Sequence, residues 1–174
     1  MLLWAMLPAG SWSNGGWTGK SGGRPRLSAM KFAAVTIFPE MFEAITRFGI
    51  SRRAFDNGIA TFSAINPRDF ATNQYKTIDD RPFGGGPGMV MMPEPLEKAI
   101  DAACAAVGDG AQGDAGRKVV YLSPQGRPLT DALVRELGEL DSLVFVCGRY
   151  EGIDERVIQR KIDLEVSMGD FVVS

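Results

Sequence analysis

The chain contains no histidine and only two cysteines among its 174 residues. The first absence removes the commonest general base, the commonest metal ligand and every triad that needs an imidazole. The two thiols, Cys104 and Cys147, lie far apart, one in an alanine-rich helical pattern and one at the end of a strand pattern. They read as buried thiols, not as a disulfide or a zinc pair, and this usage fits a reducing, cytoplasmic setting. No apolar run approaches the ~20 residues of a membrane span, so no membrane partner is expected. The early positive charge and long apolar run of a signal peptide are also missing. Neither sign of charge is in large excess: 19 Lys and Arg stand against 21 Asp and Glu, a net value of −2. No global basic field therefore announces nucleic acid, although a local basic patch can bind RNA on an acidic protein. Acid–base chemistry is left to Asp, Glu, Lys, Arg, Tyr or the backbone.

What is present is one domain's worth of chain, with 45% hydrophobic residues to build a core. Residues 1–29 are rich in Gly, Ser and Trp without a sustained period, and are expected to be an unstructured N-terminal extension. From Met30 to Ser174 the pattern alternates strand and helix, which makes the class α/β with a parallel sheet. Phe32–Phe38 reads as a strand that Pro39 breaks. A helix is expected from Glu40 to Phe48, ended by Gly49, then a short one from about Ser51 to Asp56. Ile59–Ile65 reads as a strand. Residues 66–92 read as one long polar loop, an uncommon feature that a compact domain keeps for a use. Its run Gly84-Gly85-Gly86-Pro87-Gly88 permits close backbone approach to a ligand, but no Lys-Ser/Thr follows, so it is not a P-loop. A plain flexible lid is the alternative to a substrate-facing loop, which we prefer. A helix from Glu94 to about Val107 and a surface insertion, Gly108–Gly116, come next. Lys118–Leu122 and Leu143–Cys147 are near-continuous apolar runs, as strands covered on both faces are. Between them a helix, Thr130–Leu137, has Thr130 as its N-cap.

Three strand ends are each followed at once by a small-residue turn: Ser123-Pro124-Gln125-Gly126, Gly148-Arg149-Tyr150-Glu151-Gly152, and Ser167-Met168-Gly169-Asp170. Loops at the carboxyl edge of a parallel sheet form ligand sites. Backbone groups with few charges suit a neutral planar ring such as adenine. Glu151 adds one carboxylate at the rim, for an ammonium, a sulfonium or a cation; the alternative is a salt bridge to Arg149 or Arg156. Tyr150 either stacks on a base or packs. Asp154-Glu155-Arg156 reads as the first turn of a helix, where acids favour the dipole.

Five stretches carry a resemblance: IFPEMF (37–42), DDRPFGGGPGMVMM (79–92), YLSPQGR (121–127), CGRYEGIDERV (147–157) and SMGDFVVS (167–174). In order, from Met30 onward, they resemble the bacterial tRNA (guanine-N1)-methyltransferase family, TrmD, of the SPOUT class. The resemblance implies a C-terminal trefoil knot and a homodimer with active sites at the subunit interface. It implies S-adenosylmethionine as cofactor, assistance by Mg2+, and methylation of N1 of guanine 37 in tRNA. The family's cofactor contacts fall on Leu122, Ser123, Pro124, Gln125 and Gly126, on Gly148, Tyr150 and Glu151, and on Met168, Gly169, Asp170, Phe171, Val172 and Val173. Its substrate loop falls on Asp79, Arg81 and Pro87. Arg149 and Glu151 are expected in supporting roles, with Glu151 near Mg2+ and no firm metal ligand. The family's general-base aspartate and its tRNA-binding domain would lie past Ser174, so a truncated methyltransferase domain spanning 30–174 is expected. A remnant that binds the cofactor or a partner chain without transferring methyl is the alternative.

Overall fold

The computed structural model describes residues 11–13, 16–18, 29–108 and 116–169. Within the first 29 residues, β1 (Ser11–Ser13) pairs antiparallel with β2 (Gly16–Thr18), setting Trp12 opposite Trp17.

The core sheet has five strands, all parallel: β3 (Met30–Val35), β4 (Ala60–Ile65), β7 (Arg117–Pro128), β8 (Ser142–Val146) and β9 (Leu164–Ser167). Their order is β4-β3-β8-β7-β9. The apolar runs alternate in the face they cover, not in polarity. Val119, Tyr121, Val144 and Val146 join one buried cluster, which the helix Pro93–Val107 covers with Leu96, Ala99, Ile100 and Ala103. Val120, Leu143 and Phe145 join the opposite cluster, covered by the helix Asp131–Gly138 with Leu133, Val134 and Leu137. A period-two strand with an apolar layer on each side has no polar face, hence the continuous runs. Thr130 caps the second helix as expected: its hydroxyl accepts from Leu133 N at 3.2 Å, a contact worth about 1 kcal/mol.

The structure corrects three expectations. The helix Glu40–Phe48 is a 3-10 turn, Pro39–Phe42, followed by one helical turn, Glu43–Thr46. Phe48 is extended (φ −131°, ψ 159°), so Gly49 opens the next helix, Gly49–Asp56, instead of closing the previous one.

The stretch 66–92 is a folded excursion. Asn66 caps a 3-10 turn at Pro67–Phe70. The Asn73 side chain accepts from Thr77 N at 2.8 Å and donates to Thr77 O at 3.1 Å. Then β5 (Asp79–Asp80) pairs antiparallel with β6 (Val90–Met91). Two apolar anchors explain the order: Ile78 and Met91 are each 1% exposed in the core.

The third correction concerns Ser123–Gly126, read as a turn that ends a strand. It is an irregular passage inside β7. Val166 of β9 faces Leu122 before the irregularity and Arg127 after it. Beyond it Leu129 N donates to Ser167 O at 2.8 Å. The ladder does not advance along β9 across Ser123–Gly126: these four residues loop out, as their composition favours, and pairing with β9 resumes the strand beyond them. The expected insertion lies outside the described residues between 109 and 115, as do Asp170, Phe171, Val172 and Val173.

Candidate active site

Parallel strands put all their carboxyl ends on one edge, and there the three segments meet. The first and third are joined by the β7–β9 ladder. Ser123 is buried, and its hydroxyl accepts from Gln125 N at 3.3 Å; Leu122 is half-buried, while Pro124 and Gln125 are exposed. Ser167 is buried, and its hydroxyl donates to Gly169 O at 3.1 Å and accepts from Gly169 N at 3.3 Å. Met168 is left exposed beside it.

The middle segment is held from two sides. Below it lies Tyr121, whose ring and hydroxyl come within 2.9 and 3.0 Å of where a Gly148 Cβ would stand. The Tyr121 hydroxyl also lies 3.8 Å from where a Gly152 Cβ would stand. Above it lies the glycine-rich hairpin. Glu151 N donates to Met89 O at 3.0 Å and Met91 N to Gly152 O at 3.0 Å, and Met91 bridges Ile153 in parallel. Gly88 (φ +87°) rests directly on the Glu151 side chain, with no room for a Cβ. Glycine is required there twice over, by φ and by contact. Beyond Gly88 the hairpin opens a cleft of about 390 Å³ lined by Arg81, Gly86, Pro87, Gly88 and Met89.

Neither arginine offered as a partner for Glu151 pairs with it. Arg149 lies over the Phe38 ring, 5.6 Å from its centroid. Arg156 is bidentate on Asp154, at 2.9 and 2.8 Å. Glu151 is exposed and has no ion pair among the described residues. Tyr150, at φ +60° and 40% exposed, presents its ring to solvent. Asp79 is half-buried in β5, and Arg81 and Pro87 are exposed on the loop above the cleft. Tyr121 is the participant that the sequence reading left out. Its signal was the one polar-tipped side chain in the apolar run Val119–Leu122.

The ionisable groups sort by burial. Burial, and then the charge of Glu165, push the Tyr121 phenol above its ordinary value. Burial pushes the Cys147 thiol up to about 11. Both stay protonated and non-nucleophilic at neutral pH. Asp154 moves the other way, held down chiefly by the hydrogen bond from Arg156. It caps the helix Glu155–Lys161 through Arg156 N, at 2.9 Å. A depressed carboxylate pKa contributes stability above the unfolded value, and that contribution is lost as pH falls through the folded one. Asp154→Asn keeps a cap acceptor and removes the charge. It is expected to be less stable than wild type at pH 7 and to converge with it as pH falls below the ordinary carboxylate range, in urea titrations at stepped pH. A constant difference across that range would refute the assignment.

Comparisons with known proteins agree with this layout. A family profile described as tRNA (Guanine-1)-methyltransferase TrmD matches residues 30–174. A tRNA (guanine-N(1)-)-methyltransferase of Shewanella sediminis is 57% identical over 145 residues, covering 83% of this chain and 57% of the relative. One of Neisseria meningitidis serogroup A is also 57% identical, over 83% of this chain and 56% of its own. The crystal structure of tRNA (m1G37) methyltransferase from Aquifex aeolicus superposes with a TM-score of 0.71 at 35% identity, covering 84% of this chain and 63% of that one. The chain thus spans a little over half the length of the curated relatives it matches. With the family profile matched from Met30 to Ser174 and the conserved fold shared with a solved member, the chain belongs to the tRNA (guanine-1)-methyltransferase family, TrmD.

Proposed function

We propose that this chain carries the methyl-donor site of an S-adenosylmethionine-dependent enzyme that methylates N1 of guanine 37 in tRNA. The observation that carries the reading is the convergence of the irregular segment within β7 with the segments after β8 and β9, with Glu151 lodged against Gly88, in a chain of this family. The fit to the cofactor rests on that edge. It offers backbone groups, small residues and a Tyr150 ring, and among the described residues of the three segments only Glu151 and Arg149 bring charge. Leu122, Ser123, Pro124, Gln125 and Gly126 would hold the cofactor together with Gly148, Tyr150, Glu151, Met168 and Gly169. Asp170, Phe171, Val172 and Val173 complete the proposed set. S-adenosylmethionine supplies a methyl group on a positive sulfonium, the electrophile that no side chain can provide.

The chain's own residues position and screen. Arg149, steadied over Phe38, would meet charge that develops on guanine O6. Guanine N1 carries a proton at neutral pH, which an acceptor must take. Tyr121 and Cys147 are unsuited because burial keeps them protonated, and Asp154 because Arg156 holds it. No three His, Cys, Asp or Glu side chains cluster as a metal site among the described residues. Glu151 alone would offer an oxygen to Mg2+, which would then depend on substrate and solvent for its other ligands. No step is assigned to it.

Other properties of the family are proposed with their support. The return of β7 onto β9 past Leu122 supports a trefoil-knotted C-terminal region. Met41, Phe48 and Ile50 are 71, 66 and 57% exposed near Phe38, and this apolar surface supports a homodimer. No described helix is long and apolar enough to cross a membrane, and a tRNA substrate supports a cytoplasmic location. The test is calorimetric titration of S-adenosylmethionine into the 174-residue chain, followed by methyl transfer to transcripts with G37 or A37. We expect binding, and N1-methylguanine only in the G37 transcript, when transfer is assayed in a protein extended to the relatives' full length. No binding to either protein would overturn the cofactor site.

A further inference from the structure

Phe83 stands where a folded protein has least reason to keep a phenylalanine. It is 102% exposed, at the outer end of the β5–β6 hairpin. Its position is set by the backbone. Gly85 N donates to Pro82 O at 3.1 Å, closing a tight turn with Phe83 at its second position and Gly84 (φ +88°) at its third. A glycine with positive φ at the third position marks a type II turn, whose second residue projects outward at the corner. The base of the hairpin does not move freely. Ile78 and Met91 are buried, Met92 N donates to Ile78 O at 2.7 Å, and Met91 bridges Ile153 beside the proposed cofactor turn. The ring is therefore displayed on an anchored arm next to the cleft that Arg81 lines. Arg81 is exposed without an ion pair among the described residues, while Asp80 turns its carboxylate back onto the Arg81 backbone N, at 2.7 Å.

We propose that Phe83 is a stacking platform for an unpaired base of the RNA substrate, with Arg81 beside it contacting phosphate. The proposal rests on the tRNA reading above and adds to it the residue that grips the loop nucleotides. An exposed aromatic ring with a cation nearby is the pairing that holds single-stranded RNA, because every base offers a π-face. Its fixed turn lowers the ordering cost of the contact.

The experiment measures binding of a tRNA anticodon stem-loop carrying 2-aminopurine at successive loop positions to the 174-residue chain. Phe83→Ala should weaken RNA binding by roughly 5- to 150-fold, the range for loss of one base stack. It should also restore the fluorescence quenched at one position. Phe83→Trp should retain binding, and Phe83→Leu should lose it despite its apolar side chain. Arg81→Gln should reduce the slope of log affinity against log salt by roughly one. S-adenosylmethionine affinity and melting temperature should stay unchanged in every variant, since the Phe83 side chain packs on nothing. Equal RNA affinity for wild type and Phe83→Ala, or full retention by Phe83→Leu, overturns the platform and leaves the methyltransferase reading standing. A wild-type chain that binds the cofactor but no RNA also overturns the platform. One that binds neither overturns the functional reading as well.

Discussion

Gly148→Val is expected to abolish measurable binding of S-adenosylmethionine and to lower the melting temperature. The cause is Tyr121. A Cβ at position 148 would stand 2.9 Å from its Cε2, 3.0 Å from its hydroxyl and 3.4 Å from Cζ, with the branches of valine added to that. The ring is 8% exposed and packs in the core beneath the turn, so it has little room to yield. Moving it displaces the hydroxyl that lies beneath Gly148 and Gly152. That in turn loosens the segment whose Glu151 N and Gly152 O are tied to the hairpin. Overpacking of this kind costs about 1–3 kcal/mol, and a protein of this size loses ~2–4 °C in melting temperature per kcal/mol. Gly148→Ala should be milder, because its single methyl meets the far end of a ring. Gly148→Val combined with Tyr121→Ala should lose less stability than the sum of the two single losses, because the clash exists only while the ring is present, and should not restore cofactor affinity, since the support of the turn is still missing. Wild-type affinity in Gly148→Val, measured by calorimetry on folded protein, would remove this turn from the cofactor site.

That chain of contacts shows what the sequence could and could not reveal. The strands Val119–Leu122 and Leu143–Val146 were legible because burial on both faces leaves a one-dimensional trace, an unbroken apolar run. The cap at Thr130 was legible because capping is local. The candidate site was legible as three separate turns, since glycines and small residues after strands are visible in order. Their mutual arrangement was not. Nothing in the order of residues says that β8 lies between β3 and β7, or that residues 89–91 bond to 151–154. The two largest misreadings share one cause. Ser123–Gly126 has turn composition, and 66–92 is polar with a glycine run. In both, long-range partners decide the outcome: β9 for the first, and the buried pair Ile78 and Met91 for the second. Tyr121 was passed over because one polar atom in an apolar run matters only when the segment above it is known.

Gly126 gives the more severe case, and it separates fold from site. A Cβ there would stand 2.5 Å from Glu165 C and Val166 N, and 2.8 Å from Glu165 O. All three are backbone atoms of β9, so no rotamer change relieves the overlap. Even the smallest substitution, Gly126→Ala, must push β7 and β9 apart at the place where Val166 serves both Leu122 and Arg127. Val166 is fully buried, and Ser167 bonds both Leu129 and Gly169, so the shift reaches the core and the third segment together. We expect a loss of about 3 kcal/mol, the upper end for overpacking, and a fall in melting temperature of ~6–12 °C. Truncating a neighbouring side chain, as in Gly126→Ala with Glu165→Ala, should recover none of it, because the obstacle is main chain. That is the contrast with Gly148, whose substitution should couple to truncation of the Tyr121 ring. Cofactor affinity in Gly126→Ala should fall along with stability, since the first and third segments are positioned by the ladder it breaks. A Gly126→Ala protein that melts like wild type would show that β9 can slide away from β7 at little cost. The irregular segment within β7 and the segment after β9 could then not be a preorganised pair.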